Sequence, residues 1–334
     1  MDELRSAGGA PPQRGATSGS AEPVPQRPLA RGPARPPRRA LHGVLLLDKP
    51  LGWTSNDALQ KAKGILRAEK AGHTGTLDPL ATGLLPLCFG AATKFSQASL
   101  DADKRYLATL QLGQRTSTGD REGEVIESRE VSVDRAAIEA ACRLFTGALE
   151  QTPPMHSALK HEGRALYDYA RAGIEVVRAA RPVTIHHIHI VEHEGTLLVL
   201  DVACSKGTYI RTLAEDIGAA LGCGAHLSAL RRTASGSLQL QDAVSLETLA
   251  ALSEPERDAL LLPPDALVSD WPQVDLPEDE AGRFLCGLRR RVSLQDTAAV
   301  RVYTAQSFLG TAHITAGELI ADRLLSPLEV QVTP

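Results

Sequence analysis

Residues 72–83, Gly-His-Thr-Gly-Thr-Leu-Asp-Pro-Leu-Ala-Thr-Gly, put one acid, one histidine, three glycines and a proline within twelve positions. Glycine permits positive φ and close approach of a ligand, and the proline after Asp78 drives that aspartate out of the helical region. The chain is therefore committed here to a tight loop carrying a single carboxylate. An isolated Asp-Pro step reads as an Asx turn, the side chain capping nearby N–H groups. The backbone-controlling residues on both sides read instead as a carboxylate held for chemistry.

The 334 residues suffice for one large or two ordinary domains, and 43% hydrophobic with 23% charged residues is the balance of a soluble globular chain. No apolar run approaches the length that spans a bilayer. The five cysteines (Cys88, Cys142, Cys204, Cys223 and Cys286) form no C-x-x-C pair, which supports neither a disulfide framework nor a zinc site. Cys223 and His226 offer two ligands where zinc wants at least three. His186, His187 and His189 fall on a predicted strand, where alternation splits them between faces. No metal and no cofactor is expected.

The net charge of −4 is unevenly placed. Residues 1–40 hold seven Arg and three acids, a balance of +4, so the remaining chain carries −8. A polyanionic partner then requires a local basic patch on an acidic body. Candidates are Lys61, Lys63, Arg67 and Lys70; Arg231 with Arg232; and Arg289, Arg290 and Arg291. The first forty residues, rich in Pro, Gly, Ala and Arg, are expected to be a disordered basic extension. They lack the apolar core of a secretory signal, and eight prolines oppose the amphipathic helix of a transit peptide.

Periodicity predicts a strand at 43–47 and then a helix capped by Thr54 or Ser55, with Ala58, Leu59, Ala62, Ile65 and Leu66 on one stripe. A strand at 106–112 puts Tyr106, Ala108, Leu110 and Leu112 on one face. Residues 114–124 read as a polar loop lacking the ligand alternation of a calcium loop. Helices follow at 134–146, around 166–172 and at 209–221. Strands at 183–193 and 197–204 make an antiparallel hairpin through Glu194-Gly195, and strands near 226–232 and 236–240 precede a short helix at 246–252. Residues 253–272 read as a linker with one short helix. The pattern from about 273 becomes short strands at 298–303, 307–314 and 318–324. The boundaries expected are an extension at 1–40, a main domain at 41–252, a linker at 253–272 and a small β-rich module at 273–334.

Five segments in order resemble the motifs of the TruB family, the synthases that make pseudouridine at position 55 of tRNA. Residues 43–50 resemble its opening strand and Lys-Pro motif, and 72–83 its catalytic motif. Residues 103–106 resemble its tyrosine motif, 204–212 its arginine motif, and 222–232 a further one. The resemblance spans roughly residues 43 to 232. It implies an α+β pseudouridine synthase fold, with a mixed, largely antiparallel central sheet and a C-terminal PUA-like domain. Many strands adjacent in sequence with a few helices agree with that class.

By this resemblance Asp78 is the catalytic aspartate, Tyr106 stacks on the uracil and relays a proton, and Arg211 pairs with Asp78. Tyr209 and Leu230 line the uracil pocket, His73 inserts where the target base leaves its stack, and Lys49 with Pro50 supports the active-site loop. The chemistry needs a nucleophile or charge stabiliser near C1′ and a proton-transfer group, with no redox change. A retaining glycosidase needs a second carboxylic acid opposite the first; Asp103, beside the tyrosine, is the only acid the motifs offer for that place. The target must be everted from folded RNA. The partner implied is the T stem-loop of tRNA, acted on by a cytoplasmic monomer without an obligate protein partner or membrane. Two alternatives share the scaffold: a non-catalytic RNA-binding or RNA-folding protein, and the RNA-guided catalytic subunit of H/ACA particles. The sequence departs from the family pattern at Thr76, where Ala also occurs, and at Met155-His156-Ser157, a variant of Met-Tyr-Ser.

Overall fold

The structure is a computed structural model describing residues 37–157, 159–305 and 307–332. The expected extension therefore lies outside the described residues except for its last positions, where Arg39 pairs with Asp258. The first elements of the described residues are β1 (Gly43–Lys49), α1 (Ser55–Leu66), β2 (Ala71–His73), β3 (Ala81–Phe89), α2 (Ser96–Asp101) and β4 (Lys104–Leu112). Two short strands, β5 (Gln114–Thr116) and β6 (Val125–Ser128), precede α3 (Arg135–Leu144) and β7 (Gly147–Gln151). A two-residue ribbon of β8 (Lys160–His161) and β9 (Arg164–Ala165) leads into α4 (Leu166–Arg171). The long hairpin of β10 (Arg181–Glu194) and β11 (Leu197–Cys204) is followed by α5 (Ile210–Ala220), β12 (Ala225–Ser235), β13 (Leu238–Gln239), α6 (Leu246–Ala251) and α7 (Glu254–Ala259).

These strands form a nine-stranded sheet, ordered β1-β3-β12-β4-β11-β10-β7, with β2 on β3 and β13 on β12. Its pairs are antiparallel except β12 with β3, which run parallel through Leu230↔Ala81. The fold is α+β with a mixed, mostly antiparallel sheet, as the sequence implies. One face packs α3 and α5 over Ala108, Leu110, Leu112, Leu198, Leu200 and Val202. Tyr106 leans against this core, on the face that alternation assigns it. Around β1 and β3 both faces are covered. α1 and α6 lie over Leu45, Leu47, Leu85 and Leu87, while Leu267, Val268 and Phe308 lie over Val44, Leu46 and Leu84. Each such aliphatic side chain contributes about 1.5–3 kcal/mol by leaving water.

Sequence patterning misses β3 because a strand buried on both faces has no alternation to read. The strand expected at 236–240 is only the two-residue β13, ended by a 3₁₀ turn at Leu240–Asp242. Residues 253–272, expected as a linker, include α7 and a 3₁₀ turn at Pro264–Val268. Leu267 and Val268 of that turn are buried against β1.

The last segment comprises β14 (Gln273–Leu276), α8 (Glu278–Leu285), β15 (Arg290–Arg291), β16 (Thr297–Thr304), β17 (Ser307–Thr315), β18 (Glu318–Leu324) and α9 (Pro327–Val332). Its five strands make their own sheet, ordered β14-β16-β17-β18-β15, around Phe284, Val302, Leu309 and Leu319. Phe308 joins it to the main body against Phe95, with ring centroids 5.1 Å apart. Lys94 donates to the Leu324 carbonyl at 3.0 Å and to Glu329 at 2.6 Å. Burial alone raises the Glu329 carboxyl, but its bonds from Lys94 and Ser326 outweigh this and hold it down at about 2. A carboxylate depressed on folding stabilises above its unfolded value of 4.5, and that contribution fades as pH falls toward 2. Glu329→Gln is accordingly expected to cost about 1 kcal/mol at pH 7. In urea titrations its deficit against the parent chain closes as pH drops from 4.5 toward 2.

Candidate active site

Asp78 stands in the loop between β2 and β3, and that loop is pinned on both sides of it. The buried Ser55 hydroxyl accepts from the Leu77 N–H at 2.8 Å and donates to the Leu77 carbonyl at 3.1 Å. Gly52 N–H donates to the Pro79 carbonyl at 2.9 Å, and Thr74 N–H reaches Pro86 at 3.1 Å. Lys49 is fully buried, and its ammonium donates to the carbonyls of Pro50 (3.0 Å) and Trp53 (2.6 Å). It thus braces the turn whose Gly52 holds Pro79. Burial pushes the Lys49 ammonium down to about 8; the Asp78 charge opposes that shift and Arg232 adds to it.

Arg211 is the second residue of α5, whose N-terminus Gln151 fixes by accepting from the Tyr209 N–H at 3.0 Å. A cation here opposes the helix dipole, so the position is costly unless anions meet it. Two do: Asp78 at 3.0 Å and Asp120 at 3.4 Å. The Arg211 and Asp120 side chains are 8% and 6% exposed, whereas Asp78 is 50% exposed. The guanidinium is therefore an interior bridge presenting one accessible carboxylate to solvent. It also donates to the His156 carbonyl, in the segment where the sequence departs from the family pattern.

Asp120 escaped the sequence analysis. It lies in the polar loop joining β5 to β6, where it accepts from the Thr118 hydroxyl at 2.6 Å and the Glu122 N–H at 3.1 Å. The backbone of this loop is stitched to β12, Arg121 N–H donating to the Leu227 carbonyl and Leu227 N–H to Gly119, each at 3.0 Å. A Thr-x-Asp turn is the only local signal, and it reads as turn chemistry. Asp103, the acid that the motifs offer, is mostly exposed and pairs with His186 at 2.9 Å.

The structure brings Asp78, Tyr106, Tyr209, Arg211 and Leu230 together around a pocket of about 190 Å³. It opens beside a cleft of about 560 Å³ lined by His73, Asn56, Asp120, Tyr167 and Arg171. Among the described residues, His73 Nδ1 is buried without a hydrogen-bond partner. Burial, reinforced by the Arg232 charge, holds that imidazole below its usual range. Burial pushes the Tyr106 hydroxyl up, and the Arg232 charge opposes this. Lys49 is not among the residues lining the pocket or the cleft; it ends β1 and bonds the turn that follows.

Two motif glycines that suggest ligand approach instead admit protein. At Gly83 (φ +97°) a Cβ would stand 2.3 Å from the Arg232 carbonyl oxygen, and at Gly75 (φ +85°) one would stand 3.2 Å from an Arg232 guanidinium nitrogen. Arg231 and Arg232 do not form the surface patch suggested for them. Arg231 pairs with Asp48, and Arg232 is 1% exposed. Arg67 and Arg289 are likewise paired, with Glu254 and Glu318. His187 and His189 stack on one face of β10, as alternation predicts, with centroids 4.6 Å apart. Among the described residues no group of three His, Cys, Asp or Glu is placed to hold a metal ion, and no helix is long and apolar enough to cross a membrane.

Family models match in register along the chain. That of the TruB family pseudouridylate synthase N-terminal domain covers residues 63–210, the tRNA pseudouridylate synthase B C-terminal domain 211–269, and the pseudouridine synthase II TruB C-terminal model 272–325. The chain is 59% identical over 302 residues to tRNA pseudouridine synthase B of Verminephrobacter eiseniae, covering 88% of this chain and 91% of that protein. It is 56% identical over 311 residues to tRNA pseudouridine synthase B of Ralstonia nicotianae, covering 90% and 98%. A chain of an H/ACA RNP bound to a substrate RNA containing 2′-deoxyuridine superposes with a TM-score of 0.67 at 26% identity, over 86% of each chain. A chain of a Cbf5-Nop10-Gar1 complex gives 0.66 at 27%, over 88% and 82%. The protein belongs to the TruB family of tRNA pseudouridine synthases. The reaction of that family is the isomerisation of uridine to pseudouridine.

Proposed function

We propose that this chain converts uridine 55 in the T-arm of tRNA to pseudouridine, taking the everted base into the pocket beside Asp78. The reaction breaks the N1–C1′ bond and forms a C5–C1′ bond, while a proton leaves C5 and N1 gains one. Nothing is oxidised or reduced. Asp78 stabilises or attacks the electron-poor centre, Arg211 aims it, and Tyr106 stacks on the ring and relays the proton. Tyr209 and Leu230 hold the base, His73 fills the vacated stack, and Lys49 keeps the loop in place. The observation that carries this reading is the accessible Asp78 carboxylate, 3.0 Å from a buried guanidinium at the mouth of a pocket large enough for one flat base. Residues 41–252 act as the synthase domain, 253–272 as the connection, and 273–334 as a PUA-like RNA-binding module. The enzyme acts as a cytoplasmic monomer on tRNA, with no obligate protein partner.

The test uses the purified chain and an unmodified T stem-loop carrying tritium at uracil C5, without guide RNA. Stoichiometric tritium release, with pseudouridine mapped to position 55 alone, is the expected result. Release that requires an added guide RNA favours the RNA-guided reading. Tight binding without release favours the RNA-folding one.

A further inference from the structure

Arg232 is a large charged side chain sealed inside the protein, and among the described residues no carboxylate forms a salt bridge with it. Its Nε donates to the Leu84 carbonyl at 2.7 Å and one terminal nitrogen to the Gly75 carbonyl at 3.2 Å, while the guanidinium also faces the Tyr106 hydroxyl. We propose that Arg232 is a positioning residue for the reaction, fixing through one planar group both the loop that carries Asp78 and the hydroxyl of Tyr106. This rests on the role given above to Tyr106.

Three observations favour this over a merely structural arginine. Burying an unneutralised charge is expensive, and neutral side chains can bond carbonyls at lower cost. The surroundings aggravate that cost: Lys49 on β1, Lys104 on β4 and His73 on β2 all feel the Arg232 charge, and burial and that charge act on each in the same direction. Gly75, at positive φ, leaves the room that the Arg232 guanidinium occupies, so the catalytic loop is shaped around this side chain, while Gly83 on β3 makes room for the Arg232 backbone. A planar fork reaching two carbonyls and a hydroxyl at once is a geometry that an ammonium cannot reproduce.

The experiment measures single-turnover conversion of the T stem-loop by Arg232→Met, Arg232→Lys, Tyr106→Phe and the corresponding double variants, together with RNA dissociation constants. Arg232→Met is expected to slow conversion about 50-fold, with affinity for RNA changed less than about threefold. Arg232→Lys keeps the charge without the fork and is expected to stay about 20-fold below the parent. In the Tyr106→Phe background Arg232→Met costs less, about tenfold, because the share exerted through the Tyr106 hydroxyl is already gone while the share exerted through the Gly75 loop remains. Equal losses in the two backgrounds, or a loss confined to RNA affinity, overturn the proposal. If Arg232→Met does not fold, Arg232→Lys decides by the same comparison. A rate loss that is smaller in Tyr106→Phe than in the parent supports the proposal, and an equal loss in both overturns it. Tyr106→Phe converting at the parent rate removes the role given to Tyr106 and this inference with it. Tyr106→Phe slow with additive Arg232 effects removes only the inference.

Discussion

Asp78→Asn is expected to eliminate conversion, with a loss of at least about 10⁴-fold in the single-turnover rate. The substitution keeps the shape of the side chain and replaces an anionic oxygen with an amide. Because the Asp78 side chain is half exposed and the loop is held through the backbone by Ser55 and Gly52, the fold does not depend on its charge. Arg211 retains Asp120 as a neutralising partner. The variant is therefore expected to melt within about two degrees of the parent chain and to bind the T stem-loop with undiminished affinity. A residual rate within tenfold of the parent refutes the role given to this carboxylate. That outcome leaves the membership of the family intact, since the matched sequence extends far beyond one residue.

The second large effect is expected from Asp120→Ala. This residue lines the adjoining cleft and not the pocket proposed for the base, yet it neutralises the buried half of Arg211 and ties down its own loop. Removing it leaves a nearly sealed guanidinium with only the half-exposed Asp78 to neutralise it beside its bond to the His156 carbonyl, so the side chain loses one of the contacts that set its angle toward Asp78. Breaking a buried pair from one side costs about 3–5 kcal/mol, so the melting temperature falls measurably. The conversion rate falls about 100-fold, because a misdirection of about an ångström at the reacting group suffices for a loss of that size. Affinity for RNA changes little. Asp120→Asn retains hydrogen-bonding capacity and is expected to lie between the two. If Asp120→Ala alters binding alone, the positioning role fails and the loop is instead part of the RNA surface.

Much of this site is legible in the sequence, for reasons that differ by residue. Asp78 announces itself because its loop is built from residues with special backbone demands. Tyr106 sits on an alternating strand with one buried face, so its direction follows from parity. Arg211 and Leu230 gain their meaning only from the resemblance of their segments, since a helix-terminal arginine and a core leucine carry no periodic signal of their own. Asp120 was illegible because its partner is ninety-one positions away, and nothing local distinguishes a turn aspartate that meets an arginine from one that meets water. Arg232 was misread for a related reason. An arginine pair in sequence reads as surface, and only the parallel pairing of β12 with β3 shows that one member turns inward. The strand β3 was missed where patterning has no purchase, being apolar on both sides.

The parallel seam between β3 and β12 also orders events in time. The Thr82 hydroxyl on β3 bonds a carbonyl on β12 that lies 148 residues further along the chain. Chains fold from the N-terminal end as they leave the ribosome, and distant pairings form late. A growing polypeptide thus exposes its aspartate long before the opposite wall of the pocket has been translated. On the proposed site, copies that end before β12 lack Leu230 and Arg232 and are expected to leave RNA unchanged until that strand closes the gap.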